Sequence, residues 1–164
     1  MWRWLWLSAI VVVLDQLTKQ WVEEAFVLYE SLPVTGFFNL TLVYNTGAAF
    51  SFLADAGGWQ RWFFLILALV ICIYLVYWLL QLDKKQVALP LAIAMIIGGA
   101  VGNVIDRLLY GHVIDFLDFY YQQWHWPIFN IADSAIFVGV VILLIDGLFG
   151  KSEKQHTEGM QQDS

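Results

Sequence analysis

The chain has 164 residues, of which 60% are hydrophobic, 17% aromatic and only 13% charged, with nine Trp and a formal net charge of −6. A globular domain is about 45–50% apolar and about 25% charged, so this chain has too few polar side chains to cover a water-soluble core. Disorder and coiled coil are excluded by the same figures, one Cys excludes a disulfide framework or a cysteine-built metal site, and the acidic balance excludes nucleic acid as a partner. What remains is a small polytopic membrane protein.

A bilayer core takes roughly 20 mostly apolar residues as helix. The first candidate begins at Trp4 but stays apolar only as far as Leu14, and it reaches span length, about 4–22, by running through Asp15 and Lys19. Arg3 followed by an apolar run also fits a signal peptide, but no small-residue cleavage pattern follows. Asp15 and Lys19 stand at i and i+4, on one face of a continuing helix, so an uncleaved first helix is the better reading. Segments 62–82 and 87–107 follow as the second and third spans. The fourth, about 128–149, includes Asp133 and Asp146. The expected fold is therefore all-α and polytopic, a single membrane-embedded domain over 1–150 with four transmembrane helices. The polar segment 151–164, which includes His156, reads as a disordered cytoplasmic tail.

Arg3, Lys84, Lys85, Lys151 and Lys154 all flank one side of these spans, while the long connections 23–60 and 108–130 contain no Lys or Arg. The positive-inside rule then puts both termini in the cytoplasm and both long connections outside. At 1.5 Å rise per residue, Asp15 and Lys19 lie roughly 17–23 Å above the cytoplasmic start of their span, and Asn103, Asp106 and Arg107 roughly 24–30 Å above theirs. Asn130 and Asp133 open the inward-running fourth span. Three helices thus deliver polar groups to one depth, near the outer face.

Ionisable groups inside spans read by default as functional. The simpler alternative is that Asp15–Lys19 and Asp106–Arg107 neutralise each other, and that Asp133 or Asn130 merely caps a helix. The first outer connection, over 37–52, is rich in aromatic and β-branched residues with partial alternation, which predicts short strands. Asn45-Thr46-Gly47 is a turn signal, and Gly98-Gly99-Ala100-Val101-Gly102 predicts close helix packing. In the second connection, Asp115 and Asp118 stand among large apolar residues, and the aromatic stretch 120–129 reads as an interfacial belt. His112 and His125 share no metal-ligand spacing and read as loop residues. Cys72 reads as packing.

No G-x-S-x-G or H-E-x-x-H motif is present. The outer rim instead offers carboxylates. Two aspartates held close share a proton near neutral pH, so one serves as base on a water while the other donates to a carbonyl, with no metal or cofactor. On these grounds Asp133 pairs with Asp115, Asp118 or Asp106. A proton-relay or transporter subunit and a non-catalytic assembly factor are the competing classes; the first would need a second polar station, for which Asp146 is the only candidate.

Five blocks bear on the choice: Asp15-Gln16-Leu17-Thr18-Lys19; Asn45-Thr46-Gly47-Ala48-Ala49-Phe50-Ser51; the segment Gly98-Gly99-Ala100-Val101-Gly102-Asn103-Val104-Ile105-Asp106-Arg107; Val113-Ile114-Asp115-Phe116; and Phe129-Asn130-Ile131-Ala132-Asp133. In this order, over residues 1 to about 150, the chain resembles lipoprotein signal peptidase (signal peptidase II), the bacterial membrane aspartyl protease family. The resemblance implies that the 37–52 segment forms a small extracytoplasmic sheet between helices 1 and 2, and that Asp115 and Asp133 are the catalytic pair. It implies that Asn45, Gly47, Asn103, Arg107 and Asn130 bind substrate or brace the site, with Asp15 and Lys19 as a supporting first-helix pair. It further implies a prolipoprotein substrate carrying a diacylglyceryl thioether on cysteine, with cleavage just before that cysteine. The implied protein is a monomer in contact with membrane lipid, located in the bacterial inner membrane, with its site near the outer face.

Overall fold

The computed structural model describes residues 1–47 and 59–162. A short 3-10 turn at Trp2–Trp4 leads into α1 (Leu5–Ala25), followed by β1 (Ser31–Thr35) and β2 (Phe38–Asn45). Then come α2 (Trp59–Gln81), α3 (Ala88–Leu109), β3 (Val113–Tyr121), β4 (Trp124–His125) and α4 (Ile131–Gln162). Among the described residues, three helical stretches are long and apolar enough to cross a membrane: Arg61–Gln81, Ala88–Leu109 and Ile131–Phe149. The first helix is not among them, because Asp15, Lys19, Glu23 and Glu24 lower its apolar content. Its outward face is nevertheless apolar for most of its length: Trp6, Ile10, Val13, Leu14, Leu17 and Trp21 are exposed, while Asp15 and Lys19 are buried.

The central element is α3, which packs against α1, α2 and α4. Its glycines make this possible, since small residues let helix backbones approach where no water drives association. A side chain at Gly98 would meet Ser8 and Val11 of α1, and one at Gly99 would run into the Ala132 carbonyl and Ile136 of α4. Ser8 Oγ adds a 2.7 Å hydrogen bond to the Ala94 carbonyl. The expected close packing is present, but on two sides of α3, since Gly98 turns to α1 and Gly99 to α4. Leu75 and Leu79 of α2 pack with Ile93, Ile96 and Ile97 of α3 to fill one end of the bundle.

A four-stranded antiparallel sheet, in the order β1-β2-β3-β4, covers the other end. Val22 of α1 packs there with Leu42, Ile114 and Phe116. The expectation of a sheet built between helices 1 and 2 needs correcting, because β3 and β4 come from the second long connection. The sequence Val-Ile-Asp-Phe-Leu-Asp-Phe does not alternate cleanly between apolar and polar, since β3 is buried for most of its length, and such strands read as continuous apolar runs. The strand β1 was also not anticipated. It contains Pro33, which a sheet tolerates on an edge strand. Residues 48–52, where strands were also expected, lie outside the described residues, as do Ala48 and Ala49 of the turn. The backbone of α4 carries on as helix to Gln162, past the 128–149 span and into the segment expected to lack structure; no proline stands there to stop it.

Candidate active site

The strand β3 brings Asp115 opposite Val43 and Val113 opposite Asn45, so the last residue of β2 stands beside the aspartate. The chain entering α4 is tied to the same strand. The Phe129 carbonyl accepts from Phe116 N–H at 3.0 Å and Leu117 N–H at 2.8 Å, and Phe129 N–H donates to the Leu117 carbonyl at 3.2 Å. This bridge sets the next residue, Asn130, against Asp115. Asn130 also caps α4: its Oδ1 accepts from Asp133 N–H at 2.9 Å, and its own N–H reaches back to Asp133 Oδ2 at 3.4 Å. That reciprocal arrangement is a capping box. Asn130 and Asp133 therefore do cap a helix, and the cap itself carries Asp133 to the site.

Three asparagine amides hold the two carboxylates, and in each the oxygen is occupied so that the NH2 must face an aspartate. Asn45 Oδ1 accepts from Gly47 N–H at 2.9 Å, leaving Nδ2 to donate to Asp115 Oδ2 at 2.9 Å. Asn130, whose Oδ1 is taken by the cap, donates from Nδ2 to Asp115 Oδ1 at 2.7 Å. Asn103 Oδ1 accepts from Lys19 Nζ at 3.0 Å, so its Nδ2 donates to Asp133 Oδ1 at 2.7 Å. Gly47 earns its place through backbone conformation, at φ 103°, a region that L side chains rarely adopt.

Lys19 is almost fully buried and bridges Asp15 Oδ2 at 2.8 Å and Asp106 Oδ2 at 2.7 Å. Asp15 Oδ1 accepts from Ala132 N–H at 2.9 Å, tying α1 to the first turn of α4. Asp106 Oδ2 accepts from Ile114 N–H at 3.2 Å, tying α3 to β3. The simpler alternative therefore holds for Asp15 and Lys19 but not for Asp106, whose ion pair is with Lys19 and not with Arg107. Adjacent helical residues point about 100° apart, and the lysine on α1 takes the aspartate instead. Arg107 donates to the Asn103 carbonyl at 3.3 Å and lies 5.6 Å over the Phe64 ring. Gln16 was not singled out from sequence. Its amide donates to Asp106 Oδ1 at 2.8 Å and to the Gly102 carbonyl at 3.3 Å, and its position beside Asp15 was the only signal.

Of the three possible partners for Asp133, two are thus otherwise engaged. Asp106 belongs to Lys19. Asp118, three residues beyond Asp115, is bound by His125 Nδ1 at 2.7 Å, Asn39 Nδ2 at 3.1 Å and Thr41 Oγ1 at 3.1 Å. Burial opposes its ionisation, but these hydrogen bonds outweigh burial and hold its carboxyl below the usual range. Asp115 behaves in the opposite way. Burial, reinforced by the charge on Asp133, pushes it up to about 7 against the donors Asn45 and Asn130. Two apolar cavities border the cluster. One of about 510 Å³ is lined by Trp126, Phe129, Asp133, Ser134, Phe137 and Val138. The other, of about 400 Å³, lies between α2, α3 and α4 and includes Phe64, Asn103 and Arg107. Among the described residues, no cluster of His, Cys, Asp and Glu could hold a metal ion.

Residues 7–149 match the family model described as "Signal peptidase (SPase) II". The chain is 56% identical over 144 residues to the lipoprotein signal peptidase of Pseudoalteromonas atlantica, covering 88% of each chain. It is 54% identical over 156 residues to that of Alteromonas mediterranea, covering 95% of this chain and 85% of the relative. With that of Cupriavidus necator it shares 59% over 145 residues, covering 88% and 82%. Among solved structures, a bacterial membrane enzyme determined in meso at 2.3 Å superposes with a TM-score of 0.83 at 35% identity, covering 94% of this chain and 92% of that one. A second, at 1.9 Å, gives 0.80 at 34% identity, covering 91% and 94%.

Proposed function

Since the chain belongs to the signal peptidase II family, we propose that it removes the signal peptide from diacylglyceryl-modified prolipoproteins at the Asp115–Asp133 pair. The observation that carries this reading is the asparagine-braced pair itself: Asn130 donates from Nδ2 to the Asp115 carboxylate and from its backbone N–H to that of Asp133, two carboxylates of unlike surroundings. Asp115, buried and pushed up to about 7, holds the shared proton near neutral pH. Asp133, half-buried beside an apolar cavity, is the base.

The reaction follows from these roles. Asp133 takes a proton from a water, whose oxygen attacks the scissile carbonyl carbon while Asp115 donates its proton to the carbonyl oxygen. The resulting gem-diol returns a proton to Asp115 as the carbonyl re-forms. Asp133 passes its proton to the leaving nitrogen and the C–N bond breaks. The signal peptide leaves with a free carboxylate, the lipidated cysteine with a free amine, and both aspartates recover their starting states. Cleavage just before the lipidated cysteine requires the peptide and acyl chains to lie in lipid beside the pair, and both bordering cavities have apolar linings suited to that.

In this reading α1 is a fourth span, with its charges turned inward and neutralised and its apolar face toward lipid. The termini are cytoplasmic and the site lies at the outer face of the bacterial inner membrane. The enzyme acts as a monomer without metal or cofactor. The direct test incubates purified enzyme with diacylglyceryl-modified and unmodified precursor side by side. Only the modified precursor should be cut, and equal cleavage of both would remove the lipid-selective reading.

A further inference from the structure

Asn45 is the last residue of β2, and its pairing with Val113 is the last rung of the β2–β3 ladder. A ladder end is where strands fray, yet the Asn45 amide must stay on Asp115 Oδ2. One residue back on each strand, two rings meet across this rung. Tyr44 of β2 lies against His112, which immediately precedes β3, with centroids 4.0 Å apart and planes at 31°. Tyr44 is anchored in turn to α1, its hydroxyl donating to Glu23 Oε1 at 3.2 Å. His112 is fixed by the tight turn out of α3. Gly111 takes φ +83°, and the Arg61 guanidinium packs over it while donating from Nη2 to the Leu108 carbonyl at 2.9 Å. The His112 Nε2 atom is buried and has no hydrogen-bond partner among the described residues. The ring is held by its stack on Tyr44 and by a hydrogen bond to the Tyr110 backbone.

We propose that His112 is a positioning residue for cleavage: its stack on Tyr44 holds the end of β2 in place, and with it the Asn45 amide on Asp115. This rests on the reading of Asp115 as half of the catalytic pair. The charges that face the ring are Glu23 from α1 and Asp106 from α3, and burial, which outweighs them, keeps His112 below its ordinary value and hence neutral near pH 7. The neutral ring stacks as a flat aromatic, so phenylalanine can replace it in this role.

The test measures kcat, KM and the pH profile of His112→Ala, His112→Phe, Asn45→Leu and the double variant His112→Ala/Asn45→Leu in the full-length enzyme, on lipid-modified precursor. His112→Ala should lower kcat by about 10-fold, the scale on which outer partners of a reacting group act, with KM little changed. Its alkaline limb should move to higher pH, as in Asn45→Leu, because losing a donor to the carboxylate makes Asp115 release its proton later. His112→Phe should restore both the rate and the limb, and the double variant should be no worse than Asn45→Leu alone. A wild-type rate and limb in His112→Ala, multiplying effects in the double variant, or a His112→Phe as impaired as His112→Ala would each overturn the proposal. Should His112→Ala fail to fold, Tyr44→Leu removes the stack from the other strand and must give the same limb shift. Asp115→Asn serves as the reference. Full activity there would overturn the catalytic reading itself, whereas an inactive Asp115→Asn beside an unimpaired His112→Ala overturns only the role of His112.

Discussion

Two carboxylates within one cluster are made unlike by what surrounds them, and that difference is measurable without substrate. Asp115 gains no ion pair among the described residues, and burial with the neighbouring Asp133 charge outweighs its two amide donors, so its folded-state proton affinity is raised to about 7. The sign follows from linkage. In the pH window between the ordinary carboxylate range and about 7 the folded state holds a proton that the unfolded state has lost, so stability falls as pH rises and levels off above 7. Wild-type Tm should drop between about pH 5 and about pH 8 by the equivalent of a few kcal/mol, each pH unit being worth about 1.4 kcal/mol. Asp115→Asn should lack that drop, and a parallel fall in both proteins would contradict the assignment. Lys19 makes the complementary prediction. Lys19→Met strands Asp15 and Asp106 as buried carboxylates with no cation, a loss of about 3–5 kcal/mol that thermal unfolding in detergent would register. It also leaves Asn103 Oδ1 with the Asn130 Nδ2 donor alone, at 3.2 Å, which loosens the amide that faces Asp133.

At the scale of elements, the candidate site depends on how closely α3 approaches its neighbours. Gly99→Leu places a side chain into the Ala132 carbonyl, where the obstacle is backbone and cannot swing aside. That variant should lose most of its folded yield, whereas Gly147→Ala, with nothing within 4 Å of the added carbon, should be neutral or mildly stabilising; equal yields from the two would contradict the packing described here. The close packing at the α3 glycines was legible in sequence from their size alone, but not that Gly98 turns to α1 and the adjacent Gly99 to α4. The strand β3 was not, because a half-polar rhythm is the signal for a strand and this one is buried for most of its length. Its two aspartates were visible as residues, but the choice of Asp115 over Asp118 depends on His125, Asn39 and Thr41, which lie on other strands and share no spacing with them. Only the family resemblance pointed to Asp115 in advance. The double partnership of Lys19 was half legible: Asp15 stands one helical turn away, while Asp106 reaches it from another helix.

On the scale of the whole molecule, the polar groups gather at one end of the bundle, where α1, α3, β3 and the start of α4 converge. A relay across the bilayer would need polar stations along its length. Asp146 lies toward the opposite end, where Leu75, Leu79, Ile93 and Ile97 fill the bundle. Scarce charge concentrated at one depth suits chemistry on a substrate that arrives within the membrane plane. The central claim is that Asp115 and Asp133 act as one unit, and turnover of diacylglyceryl-modified precursor by Asp115→Asn and Asp133→Asn tests it most directly. Each single variant should lose at least ~100-fold in kcat, and the double variant should be scarcely worse than either. Near-normal turnover by one of the two, or losses that multiply in the double variant, would contradict it.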